Sequence, residues 1–226
     1  MTVCSPLSRL LSLLYPPRCR FCGALLEKES VVPCRRCRKA AFWLSPSEAV
    51  CTPTTGTACL CAAWYEGKLR DAVLRFKFRG RQEYAKAYGH RLAEQLRQGQ
   101  VTDWDCITWV PVSSARLQSR GYDQAQLLAQ ETAAALGTTA VPLLEKSRDT
   151  PPQSSLRGIA ARRDNVRNVY TVPHPESVTD RHILLIDDIV TTGATLSEAA
   201  QTLQTAGARQ VTMAAFCCAR KKPQHS

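Results

Sequence analysis

The chain has 226 residues and a mass of 25.0 kDa, which suits one ordinary domain with a small appendage. Apolar residues make up 44% of it, enough to bury a real core and to argue against disorder throughout. The 30 Lys and Arg outnumber the 19 Asp and Glu, and 22 of the 30 are Arg, whose planar fork meets phosphate or carboxylate oxygens two at a time. Anionic partners are therefore expected, whether small polyphosphates or nucleic acid.

In chain order, Met1 to Pro17 carries Leu7, Leu10, Leu11, Leu13 and Leu14, spaced for a short amphipathic helix that docks on the body. Arg9 interrupts the run and Pro16-Pro17 ends it, so it is neither a signal peptide nor a span, which needs roughly 18 to 20 apolar residues. Without an export signal the expected compartment is the cytoplasm, where cysteines are metal ligands or core residues more often than disulfides.

Two CxxC knuckles follow, Cys19-Arg-Phe-Cys22 and Cys34-Arg-Arg-Cys37, with eleven residues between them. That spacing lets four thiolates surround one Zn²⁺, a closed structural site with no open position for water. So short a segment has little core of its own, and the metal should supply much of its stability. Cys51, Cys59 and Cys61 suggest a second zinc site but make no paired knuckle, so their role as ligands is open; Cys59 and Cys61 alternate into a strand-like run, and Cys106, Cys217 and Cys218 read as core residues. The four histidines form no ligand pair.

Turn-rich stretches at 45–57 mark a change in composition, after which strand and helix alternate. A strand begins in the run Cys61 to Tyr65. Leu69, Val73 and Phe76 are helix-spaced, as are Tyr84, Tyr88, Leu92 and Leu96 before Gly99. Cys106 to Val110 reads as a buried strand, and Ala125 to Leu136 as a helix closed by Gly137. Ile183 to Ile186 is a central strand, Leu196 to Leu203 a helix closed by Gly207, and Val211 to Ala219 a last strand. This alternation predicts an α/β domain, a parallel sheet flanked by helices on both faces. Ligands of such sheets bind beyond the C-terminal strand ends.

One such end dominates the chain: Ile186 runs into Asp187 and Asp188, then Thr191-Thr192-Gly193-Ala194-Thr195 opens a helix. Backbone N–H groups and hydroxyls of that turn can surround a phosphate at the positive end of the helix dipole. Gly193 lets the backbone approach closely. Two acceptor-only carboxylates beside it suit sugar hydroxyls. Two adjacent acids at a strand end have no packing value and a desolvation cost, which argues for a ligand.

The motif resembles the phosphoribosyl pyrophosphate (PRPP) signature of type I phosphoribosyltransferases. Val110-Pro111 with Arg116, then Arg120-Gly-Tyr-Asp-Gln-Ala125, Arg148, Thr150, Gln153, Leu156, Arg162, Asn165 and Tyr170 look like the ComF/GntX branch, the competence protein F family. The Cys4 segment and Leu74 to Gly80 are similar to that branch too, so the resemblance covers nearly the whole chain. It implies an N-terminal helix and zinc-ribbon segment over 1–55 and a phosphoribosyltransferase-like domain over 56–226. It implies that Thr191 to Thr195 hold the 5′-phosphate of PRPP and that Asp187 and Asp188 hold the ribose hydroxyls. Arg116 and Arg120 would meet the pyrophosphate, while Arg148, Gln153, Arg162 and Asn165 would belong to a hood over the site. Mg²⁺ would arrive with PRPP, bound mainly through substrate oxygens and water. The expected activity is transfer of the phosphoribosyl group to an unidentified acceptor with release of pyrophosphate.

The resemblance also implies a link to DNA uptake in natural transformation, and partners in DNA-uptake or helicase machinery. The alternative function is therefore a non-catalytic, PRPP-sensing accessory protein that binds single-stranded DNA. Residues 68 to 81 offer Lys68, Arg70, Arg75, Lys77, Arg79 and Arg81 with Phe76 and Phe78 interleaved, a pattern suited to single strands. The same stretch reads more simply as an amphipathic helix followed by a strand-like edge, with both phenylalanines in the core. Arg18, Arg20, Arg35, Arg36, Arg38 and Lys39 add a second basic face on the zinc segment.

Overall fold

The computed structural model describes residues 16–26, 33–53, 55–148 and 168–220. The expected N-terminal leucine helix lies almost wholly outside the described residues. Seven strands are described: β1 Val50–Cys51, β2 Cys59–Trp64, β3 Cys106–Trp109, β4 Glu145–Lys146, β5 Tyr170–Thr171, β6 His182–Val190 and β7 Gln210–Cys218. The α-helices are α1 Arg35–Arg38, α2 Gly67–Phe78, α3 Tyr84–Gln98, α4 Ser114–Arg120, α5 Gln124–Leu136 and α6 Ala194–Thr205.

The main sheet has the order β1-β2-β7-β6-β3. β2, β7, β6 and β3 run parallel, and β1 closes one edge antiparallel to β2. A separate antiparallel pair joins β4 to β5, placing Lys146 opposite Tyr170. The parallel strands are apolar because both faces are covered. Leu184 and Ile186 of β6 pack into a cluster with α2, α3 and α5, while Ile183 and Leu185 pack into a second one with α6. The period-2 alternation of a strand thus divides one apolar run between two cores.

The N-terminal cysteine segment is part of the first core. Phe21, inside the first knuckle, is fully buried and lies against Trp43 and Tyr88, with ring centroids 5.1 and 5.5 Å apart. Tyr88 in turn stacks on Phe216 of β7 at 4.2 Å and donates its hydroxyl to the Arg20 carbonyl at 3.0 Å. Leu44 N–H donates to the Ala62 carbonyl and Trp64 N–H to the Phe42 carbonyl, so residues 42–44 pair with β2 ahead of β1.

Three expectations from the residues need correction. The central strand does not stop at Ile186: β6 continues to Val190, with Asp187 opposite Ala215 and Ile189 opposite Cys217 of β7. The two acids are therefore held inside the strand rather than in the loop after it. Phe76 is core, but Phe78, at the last position of α2, is 60% exposed. Cys106, at the start of β3, is only half-buried and packs at the margin of the second core.

Candidate functional site

The site forms where β3 and β6 end side by side. Trp109 is in register with Ile186, and Val110 N–H donates to the Ile186 carbonyl at 3.0 Å. The Val110-to-Ser113 loop is thereby placed next to Asp187. On the other side, β6 turns through 191–193 into α6. Gly193, the residue before α6, has φ +85°. A Cβ there would come within 2.5 Å of Thr55 Oγ1 and 2.7 Å of Pro53 Cβ, so glycine is required by conformation and by space. The concavity at this turn is lined by Asp187 and by residues 189–196. The first N–H groups of a twelve-residue helix have no intrahelical partner, and here they border that concavity. The Thr192 hydroxyl already accepts a hydrogen bond from Ala194 N–H at 3.4 Å.

The acid pair is not symmetric. Asp188 is buried and its Oδ1 meets Lys77 Nζ at 3.0 Å. Asp187 is half-buried and accepts the Asp188 N–H at 2.8 Å through Oδ1. Burial and the adjacent Asp188 charge push the Asp187 carboxyl well above the usual aspartate range, with Lys77 opposing the shift. The sequence offers Lys77 only as one cation of a basic stretch, and its pairing with Asp188 is not legible there, because the two are brought together only by the fold.

Arg120 is the last residue of α4. Its guanidinium lies 4.8 Å from the centroid of the Phe78 ring and donates to Gln124 Oε1 at 2.6 Å. Burial pulls the guanidinium below its ordinary value, and the Asp188 charge opposes this most, which places Arg120 within electrostatic reach of the acid pair. Arg116 is half-buried one helical turn earlier on α4.

The segment Arg120 to Ala125 can be explained residue by residue. Gly121 ends α4 in the left-handed region, with φ +77°. The Tyr122 hydroxyl donates to the Phe76 carbonyl. Asp123 caps α5, its Oδ1 accepting from Ala125 N–H at 2.9 Å and Gln126 N–H at 3.1 Å. Its Oδ2 accepts from Val112 N–H at 3.0 Å, so one carboxylate fixes both the helix and the loop beside Asp187. Ser113, the residue before α4, is buried and its hydroxyl has no partner among the described residues.

Of the expected hood, Arg148 is described, two residues after β4, while Gln153, Arg162 and Asn165 lie outside the described residues. β4 and β5 bring the two ends of the intervening segment together.

The four knuckle cysteines converge, with all four Sγ atoms within 4.8 Å of one another. Cys19 Sγ is 3.9 Å from Cys37 Sγ, and Cys22 Sγ is 3.7 Å from Cys34 Sγ. Sulfurs bound to one Zn²⁺ at about 2.3 Å in a tetrahedron lie roughly 3.8 Å apart, so this set can hold a metal. Among the other cysteines the core reading was incomplete. Cys51 and Cys61 converge on Cys218, a partner too distant in sequence for any spacing rule to find.

Comparison with known proteins agrees with this geometry. The Phosphoribosyl transferase domain model matches residues 122–226. The DNA utilization protein YhgH of Salmonella typhi is 32% identical over 158 residues, covering 68% of each chain. YhgH of Escherichia coli K12 is 29% identical over 221 residues, 96% of this chain and 88% of that one. Competence protein ComFC of Streptococcus pneumoniae is 27% identical over 198 residues, 85% of this chain and 84% of that one. With a phosphoribosyltransferase sheet, a cysteine cluster docked on it and relatives that match along nearly its whole length, the chain belongs to the ComF family.

Proposed function

We propose that the protein binds PRPP with Mg²⁺ and transfers the phosphoribosyl group to an acceptor, releasing pyrophosphate. The observation that carries this reading is the side-by-side placement of Asp187 and Asp188 with the 191–195 turn at the N-terminus of α6. The N–H groups of Thr191 to Thr195 and the threonine hydroxyls would receive the 5′-phosphate. Asp187 and Asp188 would accept hydrogen bonds from the ribose 2′- and 3′-hydroxyls. Arg116 and Arg120 would lie along the pyrophosphate, with Arg148, Gln153, Arg162 and Asn165 over the site.

The chemistry follows from where charge develops. The bond from C1 to the pyrophosphate oxygen breaks, its electron pair leaves with the pyrophosphate, and the acceptor's lone pair forms the new bond to C1. Arg116 and Arg120 stabilise the leaving charge, and the carboxylates face a ribose that becomes electron-poor. Mg²⁺ would reach the site on the substrate's own oxygens and water. When bound, Mg²⁺ would neutralise pyrophosphate charge. The Cys19, Cys22, Cys34 and Cys37 site would hold a structural Zn²⁺. The same reading places the chain in the cytoplasm, where PRPP and reduced thiols coexist. No described helix is long and apolar enough to cross a membrane.

A second activity, binding of single-stranded DNA, is favoured by one observation. Arg18, Arg35, Arg36, Arg38 and Lys39 are all exposed on the cysteine segment. The relatives' names, DNA utilization and competence protein, agree with it and extend it to partners in DNA uptake.

Calorimetry with PRPP and Mg²⁺ tests the main reading. The wild type should bind, and the Asp187→Ala/Asp188→Ala variant should lose at least tenfold in affinity. Equal binding, or none in either protein, overturns it. Pyrophosphate release across a panel of amines, bases and oligonucleotides then identifies the acceptor, and silence across the panel favours the PRPP-sensing accessory protein. For the DNA reading, Arg35→Ala/Arg36→Ala/Arg38→Ala should weaken single-strand binding and flatten its salt dependence.

A further inference from the structure

Beyond the site and the four-cysteine knuckles, one cluster of reactive side chains has no role in the chemistry above. The Sγ atoms of Cys51, Cys61 and Cys218 lie within 4.8 Å of one another, and all three residues are buried. They come from three elements: Cys51 ends β1, Cys61 is the third residue of β2, and Cys218 ends β7. A fourth sulfur, Cys59 Sγ, is 3.8 Å from Cys61 Sγ. A single buried cysteine is a small apolar residue and needs no further account. Three sulfurs from three strands meeting at one point are different. Ligand sulfurs about 2.3 Å from a shared ion lie roughly 4 Å apart, and the three here, all within 4.8 Å of one another, are close enough to share one.

We propose that Cys51, Cys61 and Cys218 form a second metal site, for a thiophilic closed-shell ion, Zn²⁺ or Cu⁺. Thiolates select these ions over hard cations. Three sulfurs satisfy Cu⁺ directly, and Zn²⁺, which prefers four ligands, would add a water or, after a shift of its side chain, Cys59. Each thiol loses its proton as the sulfur–metal bond forms, with no change of oxidation state.

The position gives the ion a mechanical role. β1 is two residues long, and Val50 is 60% exposed, so its two pairings with β2 are a weak hold on the edge. Directly after Cys51 comes the loop that presses on the phosphate turn. Thr55 N–H donates to the Thr192 carbonyl at 3.1 Å, and Ser197 Oγ donates to Thr55 Oγ1 at 3.0 Å. Pro53 and Thr55 are also the groups that a Cβ on Gly193 would strike. An ion joining Cys51 to β2 and β7 therefore clamps this loop against the turn.

The test uses the full chain under reducing conditions. Native mass spectrometry after exposure to excess Zn²⁺, and separately to excess Cu⁺, should find two ions per wild-type chain in at least one arm. Cys51→Ala and Cys218→Ala should each hold one, and Cys106→Ala, outside both clusters, should still hold two. One ion per wild-type chain in both arms overturns the proposal, and that count needs no variant to fold. Two ions in a folded Cys51→Ala or Cys218→Ala chain overturns it as well. Hydrogen exchange on the wild type reads the clamp. The amides of Thr55 and Gly56, both hydrogen-bonded, should exchange at least tenfold more slowly with the second ion bound, and unchanged rates overturn the clamp. None of these measurements involves PRPP, so they stand or fall apart from the reading of the phosphate turn.

Discussion

Asp188 and Lys77 are partly shielded charges 3.0 Å apart, 11% and 20% exposed in their side chains. Removing one partner leaves the other uncompensated beside Asp187. Lys77→Met should therefore destabilise the fold by about 3 kcal/mol, and Lys77→Met/Asp188→Asn should recover most of that loss. Urea unfolding of the four proteins of this cycle checks it, and a purely additive result would remove the pair from the account. Asp187 behaves in the opposite sense. Its carboxyl holds its proton more tightly in the folded state than in the unfolded one. The contribution of Asp187 to stability should thus be fullest below the ordinary aspartate value. It should fall as pH rises from there to the raised folded value, by about 1.4 kcal/mol per unit of upward shift, and level off above. Asp187→Asn lacks this loss, so it should be more stable than the wild type at pH 7 and equal to it near pH 3. The stabilised variant should also bind PRPP poorly, as expected where a site holds destabilising charge for function. Unfolding midpoints at the two pH values decide this.

Among the elements, α3 and α5 approach most closely at Gly89. A Cβ at that position would lie 2.6 Å from Glu131 Cβ and 2.8 Å from the Thr132 backbone nitrogen. Backbone cannot yield as a flexible side chain can. Gly89→Ala should cost about 1–3 kcal/mol by forcing the helices apart, despite alanine's better helix propensity. Thermal unfolding measures it, and a stabilised variant would show that the two helices separate easily. The sequence discloses these helices well, because Tyr84, Tyr88, Leu92 and Leu96 repeat at helical spacing and all are buried. It discloses α4 poorly, since no residue of that helix is buried and no apolar period exists to read. β1 and the β4–β5 pair are two residues each, too short for any periodicity. The end of β6 is misread for a different reason. Asp187 and Asp188 look like loop residues, yet Asp187 pairs with the small Ala215 of β7 and Asp188 finds a counter-charge in Lys77, so the acids stay in the sheet. The 191–195 turn is visible because its chemistry is contiguous. Lys77 and the Cys51–Cys61–Cys218 cluster are invisible because only the folded chain brings their partners together.

At the scale of the whole molecule, the cysteine segment and the α/β body behave as one packed unit. Cys19, Phe21 and Cys37 belong to the same apolar cluster as Phe76, Tyr88 and Phe216. Trp43 joins them, its indole N–H donating to the Cys37 carbonyl at 2.6 Å while the Arg91 guanidinium covers the ring at 4.8 Å. A metal held by Cys19, Cys22, Cys34 and Cys37 would fix the knuckle that carries Phe21, and Phe21 covers Tyr88, which rests on the central β7. Metal removal should thus be felt by the sheet and not by the segment alone. If chelation under reducing conditions releases the segment, the body loses a contact equivalent to deleting a buried phenylalanine, about 3 kcal/mol. For a chain of this size that corresponds to a fall in Tm of roughly 6–12 °C. Phe21→Ala separates the metal from its mechanical link: it should keep its metal, lose a similar amount of stability, and respond much less to chelation. Scanning calorimetry of both proteins with and without chelator makes the comparison. An unchanged main transition in the chelated wild type would mean that the segment folds independently. A fall in both proteins of equal size would mean that the metal acts through contacts other than Phe21.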